Sequence, residues 1–304
     1  MKEPNWNLAR KRQALTERAR IIQEIRNFFI HRGYLEVETP HRIPANAPEA
    51  HIDIVASGAW ALHTSPELAM KRLLAAGYEQ LFQLCRVWRE SERGQYHLPE
   101  FSLLEWYRAG IDYHALMTEC MELFFVLVPE GKLFRQGRTI DLAMPWQRLT
   151  VSAAFAQYAS MSLQAALAAD RFEEVLTGEV EPHLGKQRPT FLIEYPASLA
   201  ALARTKPGEP QLAERFELYI DGLEVANAFS ELTDQCEQRK RFVAAEEIRR
   251  SAGKTPYPLP EKFLAELVTM PDASGIALGL DRLIMLLTDS DHIDDVVAFT
   301  ADDL

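Results

Sequence analysis

Apolar residues recur at helical spacing through residues 8–32, where Ile21, Ile22, Ile25, Phe28 and Phe29 share a face. Gly33 stands where a left-handed C-cap is expected. The next stretch, Tyr34-Leu35-Glu36-Val37-Glu38, alternates as a strand does, and Thr39-Pro40 ends it. Ser65-Pro66-Glu67 combines a hydroxyl for the N-cap, a proline at N1 and a carboxylate in the first turn, which predicts a helix running to Gly77. Residues 80–89 and 101–108 read as two strands around a polar loop, Glu90 to Glu100. Asp112 caps a helix reaching about Val128.

Signals weaken over residues 130–190, where turn residues at Pro129-Glu130-Gly131 precede one expected helix over 151–169. They return at Phe216–Ile220 and Leu223–Phe229, two strands flanking the hairpin-turn dipeptide Asp221-Gly222. A long charged helix follows over about 234–252, and Pro256 to Pro260 forms a rigid link. Residues 275–280 read as a last strand rich in small residues, and Asp281 leads into an apolar helix, Arg282–Leu287. The strands come as hairpins rather than in regular βαβ alternation. The expected fold is therefore α+β, an antiparallel sheet flanked by helices, in one domain over residues 1–304.

Composition narrows the class. Hydrophobic residues at 47% and charged residues at 25% suit a soluble globular protein with a large core. Met1-Lys2-Glu3-Pro4 opens onto a polar helix rather than a signal core, and the longest apolar run, Leu123 to Val128, is too short for a bilayer. Cys85, Cys120 and Cys236 lie far apart, which argues against a disulfide framework or a cysteine zinc site. A cytosolic location and no membrane partner are expected. The net charge is −11, from 33 basic and 44 acidic residues. A long tRNA-gripping surface usually needs a basic face. Here the basic clusters are local: Arg10, Lys11 and Arg12 with Arg18 and Arg20, then Arg239, Lys240 and Arg241 with Arg249 and Arg250. Both read first as solvated helix faces. A basic acceptor protein suits the charge balance better than a whole tRNA, so no stable tRNA binding is expected.

Four constellations carry candidate chemistry. On a strand, Phe101, Leu103, Glu105 and Tyr107 share a face that could hold an aromatic base and an ammonium group, unless it is a solvent-exposed edge. Arg86 and Arg89 put guanidinium forks at a loop mouth, suited to phosphate or carboxylate, or else to surface pairs with Glu90 and Glu92. The Asp221-Gly222 turn pairs Tyr219 with Glu224 and Glu217 with Ala226, so Glu217 and Glu224 share a face. Their mutual repulsion calls for a cation, and magnesium with phosphate oxygens is the natural guest. Asn227, Phe229 and Glu231 fall on the opposite face under strict alternation, so one common pocket requires a β-bulge near residues 225–227. Finally, Gly275, Ala277 and Gly279 leave one strand face bare, for close approach to the backbone or for tight helix packing, and Arg282 follows.

In this order the segments resemble the signature motifs of class II aminoacyl-tRNA synthetases, specifically the lysine type. Gly33 to Pro40 is similar to motif 1, whose proline lies at a homodimer interface in that family. Arg86-Val87-Trp88-Arg89, His97-Leu98-Pro99-Glu100-Phe101 and Glu105-Trp106-Tyr107 resemble motif 2, and Gly275 to Arg282 resembles motif 3. Phe216 to Tyr219 and Glu224 to Leu232 match the lysine-type signature, and the likeness runs from about residue 16 onward. It implies that Arg89 contacts the α-phosphate and the amino-acid carboxylate, that Phe101 stacks on adenine, and that Arg282 binds the γ-phosphate. By the same resemblance, His97 belongs to a loop folding over ATP, and Glu217 and Glu224 hold magnesium. Glu67, Glu105, Tyr107, Asn227 and Glu231 line the amino-acid pocket. Converging carboxylates suit a diamino acid with its two cations.

Departures from the lysine enzyme sharpen the expectation. Only about 15 residues precede the motif 1 helix, so no anticodon-binding domain is expected. Ala277 replaces a glycine and Ser65 an alanine, both at the amino-acid pocket, while Ser91 and Leu98 depart from the usual Glu and Asn of the ATP-side loop. The combination is similar to the stand-alone paralogues that ligate (R)-β-lysine to elongation factor P. Such an enzyme uses ATP and makes an aminoacyl-adenylate, AMP and pyrophosphate. The rival readings are a stand-alone lysine-activating enzyme that charges tRNA or another acceptor, and a non-catalytic synthetase-like regulator. An asparagine-synthetase-like member fits less well, because the pocket carboxylates would repel an acidic substrate.

Overall fold

A computed structural model describes residues 6–304. The opening segment Met1 to Pro4 lies outside the described residues. Among these the central feature is an eight-stranded sheet. Its strands are β1 (Leu35–Glu36), β2 (Gln80–Trp88), β3 (Glu100–Ala109), β4 (Gln147–Thr150), β5 (Thr190–Ile193), β6 (Arg215–Ile220), β7 (Leu223–Ser230) and β8 (Ala273–Gly279). Their spatial order is β1-β2-β3-β8-β7-β6-β5-β4. The middle pairs are antiparallel, and only the outer pairs β1–β2 and β4–β5 run parallel. The α+β expectation therefore holds, with parallel strands at both margins.

The two sheet faces are chemically different because side chains alternate along each strand. Leu104, Trp106, Phe216, Leu218, Ala226, Ala228, Ile276 and Leu278 form one face and join the main core. Three helices cover that face: α1 (Arg12–His31), α3 (Tyr113–Leu127) and α6 (Leu280–Leu287). The other face carries the polar residues singled out above. It is walled at one end by α2 (Glu67–Ala75), which packs with Tyr107, Phe242 and Phe263. A small apolar cluster around Phe155, Phe172 and Tyr195 walls the other end.

Local chemistry accounts for where elements stop. Gly33 takes φ +80°, a conformation open to glycine, and ends α1 as expected. The segment after it pairs over only two residues rather than five, with the Val37 amide still reaching the Phe82 carbonyl. The expected helix over 8–32 tightens at Lys11, whose side chain is buried and reaches Asp303 at 3.3 Å. The helix expected over 151–169 is two, α4 (Val151–Tyr158) and α5 (Leu163–Ala168). Ser162 causes the break, because its hydroxyl accepts from the Ala165 amide and starts a new helix. Asp112 caps α3 through the His114 and Ala115 amides.

The basic clusters are not simply solvated faces. Arg18 bonds Asp281 at 2.5 Å and Ser102 at 2.7 Å, tying α1 to β3 and α6. Arg249, 1% exposed, donates to the carbonyls of Glu49 and Ile52 and to Asp53. Buried guanidinium groups persist only with such partners. Lys240, by contrast, is a surface side chain.

His63 supplies a stability prediction. It is 1% exposed, its Nε2 lies 2.7 Å from the Arg86 carbonyl, and it packs near His41 and Trp88. Burial pushes its pKa down from 6.5 to about 4. The native state then binds fewer protons than the unfolded one between those values, so stability falls as pH drops through that window. We expect acidification from pH 6.5 to 4 to cost the wild type about 3 kcal/mol more than His63→Gln, by denaturant unfolding at both pH values. Equal losses in the two proteins would contradict this.

Candidate active site

The polar face is aligned by strand register. Glu105 of β3 lies opposite Ala277 of β8, which lies opposite Asn227 of β7, which lies opposite Glu217 of β6. One row up, Tyr107, Gly275 and Phe229 align in the same way. This alignment depends on a bulge. Tyr219 pairs with Glu224, but Leu218 pairs with Ala226, so Val225 is the extra residue. Val225 and Ala226 both enter the helix-side core, which leaves Glu224 and Asn227 on the same polar face. The bulge needed for a single pocket is present. The pairing of Glu217 with Ala226 is corrected to Asn227 for the same reason.

At one end of this face carboxylates converge. The Ser65 hydroxyl donates to Glu105 at 2.5 Å and accepts from the Glu67 amide at 2.9 Å. It therefore makes the expected helix-start contact, although α2 begins at Glu67. The Tyr107 hydroxyl donates to the other Glu105 oxygen at 2.8 Å. Lys71, one turn after Glu67, bridges Glu67 and Glu231 at 2.5 Å each. Gly275 lies beneath: a Cβ there would come within 2.3 Å of the Tyr107 ring and 2.5 Å of Glu231 Oε1. The bare strand face thus serves pocket side chains rather than helix packing. Burial, with Glu67 nearby, pushes Glu105 up to about 8, and burial pushes Glu231 up to about 8 against the pull of Lys71. Sequence reasoning missed Lys71, although its i,i+4 spacing from Glu67 was legible. Glu49, on the loop that Arg249 tethers, was also missed; burial, opposed by Arg89, pushes it up to about 7.

At the other end guanidinium groups prevail. The Arg89 guanidinium stands 5.1 Å from the Phe101 ring centroid, and its buried Nε has no protein partner. Arg282 donates through Nη1 to the Glu224 carboxylate at 3.1 Å and to its carbonyl at 2.9 Å, with His97 Nε2 2.5 Å from Nη2. Burial, then Arg282 and Arg89, push His97 down to about 4, so the neutral ring accepts that bond. Glu217 accepts from Arg215 at 2.5 Å and Tyr219 at 2.6 Å, and also from Tyr195. The repulsion expected between Glu217 and Glu224 is thus relieved by a separate arginine on each. Arg215 also reaches Asn227 at 3.1 Å, linking the two ends. Arg215 and Tyr195 carried no motif in the sequence. Within the ATP-side loop, Ser91 takes φ +66° and Leu98 is buried in the main core.

The family described as tRNA synthetases class II (D, K and N) matches residues 6–303. Relatives include the elongation factor P–(R)-β-lysine ligases of Erwinia tasmaniensis and Edwardsiella ictaluri, each 39% identical over 98% of both chains. The ligase of Salmonella arizonae is likewise 39% identical over 98% of both chains. A family likeness over nearly every residue, together with a site built on the face its motifs share, leaves one placement: the chain belongs to the class II tRNA synthetases of the D, K and N type.

Proposed function

We propose that this protein activates (R)-β-lysine with ATP and transfers it to a lysine side chain of elongation factor P. The observation that carries the reading is the joining of two opposite ends on one sheet face. Glu67, Glu105 and Glu231 gather where a diamino acid needs anions, and Arg89 and Arg282 stand where ATP needs cations. The activity for which relatives aligned over 98% of both chains are named supports the same substrate and acceptor.

In the first step the amino-acid carboxylate attacks the α-phosphorus of ATP, and pyrophosphate leaves. In the second, the acceptor amine attacks the carbonyl carbon of the adenylate, AMP leaves, and the amine loses a proton. Arg89 orients the attacking carboxylate against the α-phosphate, Phe101 stacks on adenine, and Arg282 with His97 receives the γ-phosphate. Ser65, Glu67, Glu105, Tyr107, Asn227, Glu231 and Ala277 shape the amino-acid pocket. Placing reactants and neutralising charge are the main contributions, and no side-chain nucleophile takes part.

Magnesium fits the phosphate end. Glu217 and Glu224 share the polar face there, and Glu181 lies close, pushed up to about 7 mainly by burial and then by the negative charge of Glu224. Glu217 and Glu224 would hold the ion, which takes one or two carboxylates alongside substrate phosphates. When bound, it supplies charge neutralisation to the phosphates. A homodimer through the motif 1 segment is supported by the exposed Ile30 and Leu35. A cytosolic setting without stable tRNA binding accords with the protein acceptor, the net charge of −11 and three free thiols. No helix among the described residues is long and apolar enough to cross a membrane.

Amino-acid-dependent ATP–pyrophosphate exchange with lysine and (R)-β-lysine side by side tests this reading. Exchange favouring β-lysine is expected. Preference for α-lysine would favour a stand-alone lysine-activating enzyme, and no exchange with either would favour the non-catalytic reading. Ala277 lies between Glu105 and Asn227, where its methyl crowds the position of an amine. Ala277→Gly is expected to lower the β- over α-lysine preference about tenfold, the scale of one methyl in a tight pocket. Unchanged selectivity would count against the assigned role.

A further inference from the structure

Lys71 is 1% exposed, yet its ammonium is held 2.5 Å from Glu67 and 2.5 Å from Glu231, with the Phe229 ring centroid 5.1 Å away. A lysine buried this deeply is costly unless it does something an apolar side chain cannot. The polar groups around it are unevenly satisfied. Glu105 has hydroxyl donors on both oxygens, from Ser65 and Tyr107. Lys71 forms an ion pair with Oε2 of Glu231, yet both oxygens of that carboxylate are buried without a hydrogen-bond partner, and Oε1 lies above Gly275 and beside the Tyr107 ring. Three carboxylates against one lysine leave a formal deficit of two positive charges.

We propose that Lys71 is a specificity-determining residue: its built-in cation fixes Glu231 in place and lets it ionise when a substrate ammonium arrives. The pocket then offers more carboxylates than built-in cations, with no hydrogen bond on either oxygen of Glu231, a match for an amino acid carrying two separated ammonium groups. The inference rests on the reading that the pocket takes a diamino acid. Without Lys71, three buried carboxylates face one another, and Glu231 keeps its proton even when an ammonium group arrives. A neutral Glu231 no longer distinguishes an ammonium group from a methyl group of similar size. The burial that already opposes its charge reinforces this outcome.

The experiment is ATP–pyrophosphate exchange by the full-length protein with two probes, (R)-β-lysine and (R)-3-aminohexanoate, which lacks the distal amine. The readout is the ratio of their kcat/KM values. In Lys71→Met the ratio is expected to fall at least about tenfold, the scale of one lost charge-assisted hydrogen bond, with ATP binding retained. Lys71→Arg, which keeps the charge, should keep most of the ratio, and Lys71→Gln serves where the methionine variant does not fold. A folded Met or Gln variant with the wild-type ratio overturns the proposal, and so does an equal loss for both probes, which is the mark of a merely structural lysine. Wild-type protein inactive with every diamino acid overturns the functional reading as well, and so separates the two failures.

Discussion

Arg89→Ala is expected to abolish amino-acid-dependent ATP–pyrophosphate exchange while leaving the fold intact. The Arg89 side chain is 26% exposed, and its nearest carboxylate, on Glu92, lies 3.9 Å away, so little of the structure depends on it. Its buried Nε has no protein acceptor, and the guanidinium is poised over Phe101. A donor left open in this way suits a carboxylate and a phosphate oxygen arriving together. Removing such a group from an acyl-phosphate transition state costs about 10²–10³-fold in rate, and losing the ground-state contact to the same carboxylate adds to it. Exchange kinetics and a thermal midpoint, measured on the same preparation, check both halves. Full activity in the variant would remove Arg89 from the site.

Glu105→Gln is the second large effect, expected to lower kcat/KM for the diamino acid by about 10²–10³-fold. The change is nearly isosteric: one of the Ser65 and Tyr107 hydroxyls can still donate to the amide oxygen while the other turns to accept from the amide nitrogen, so packing survives. The lost component is a buried negative charge facing a substrate ammonium. The wild type carries a further signature. Burial holds Glu105 near 8, so below that value a proton must leave before the ammonium can pair. Affinity should therefore rise with pH from 7 toward 8, with proton release on binding that calorimetry in buffers of different ionisation enthalpy detects. In Glu105→Gln that proton release should shrink. A variant with wild-type affinity and the same proton release would assign the ammonium site elsewhere.

Much of this site was legible in the sequence because its residues sit on regular strands and at helix starts. Two-residue periodicity placed Glu105 with Tyr107, and the Asp221-Gly222 turn placed Glu217 near Glu224. The need for one common pocket located the Val225 bulge, though strict alternation still gave Glu217 the wrong partner. A bulge is a local backbone choice, and neighbouring residues do not announce it. Tyr195 and Glu49 escaped notice for another reason: they reach the site through tertiary contacts with no fixed sequence spacing, whereas Arg215, two residues before Glu217 on the same strand face, lay within reach of the same periodicity. Misread lengths share one cause. Ser162 offered its own cap inside an apolar helical pattern, and Lys11 turned inward to Asp303 from a segment that read as solvated.

Incubating purified elongation factor P with this protein, ATP and (R)-β-lysine, and then weighing the intact factor, tests the proposed reaction most directly. The expected result is a single β-lysyl addition on one lysine side chain, dependent on ATP and absent with Arg89→Ala. An unmodified factor, with the amino acid recovered on tRNA or only as free adenylate, would contradict it.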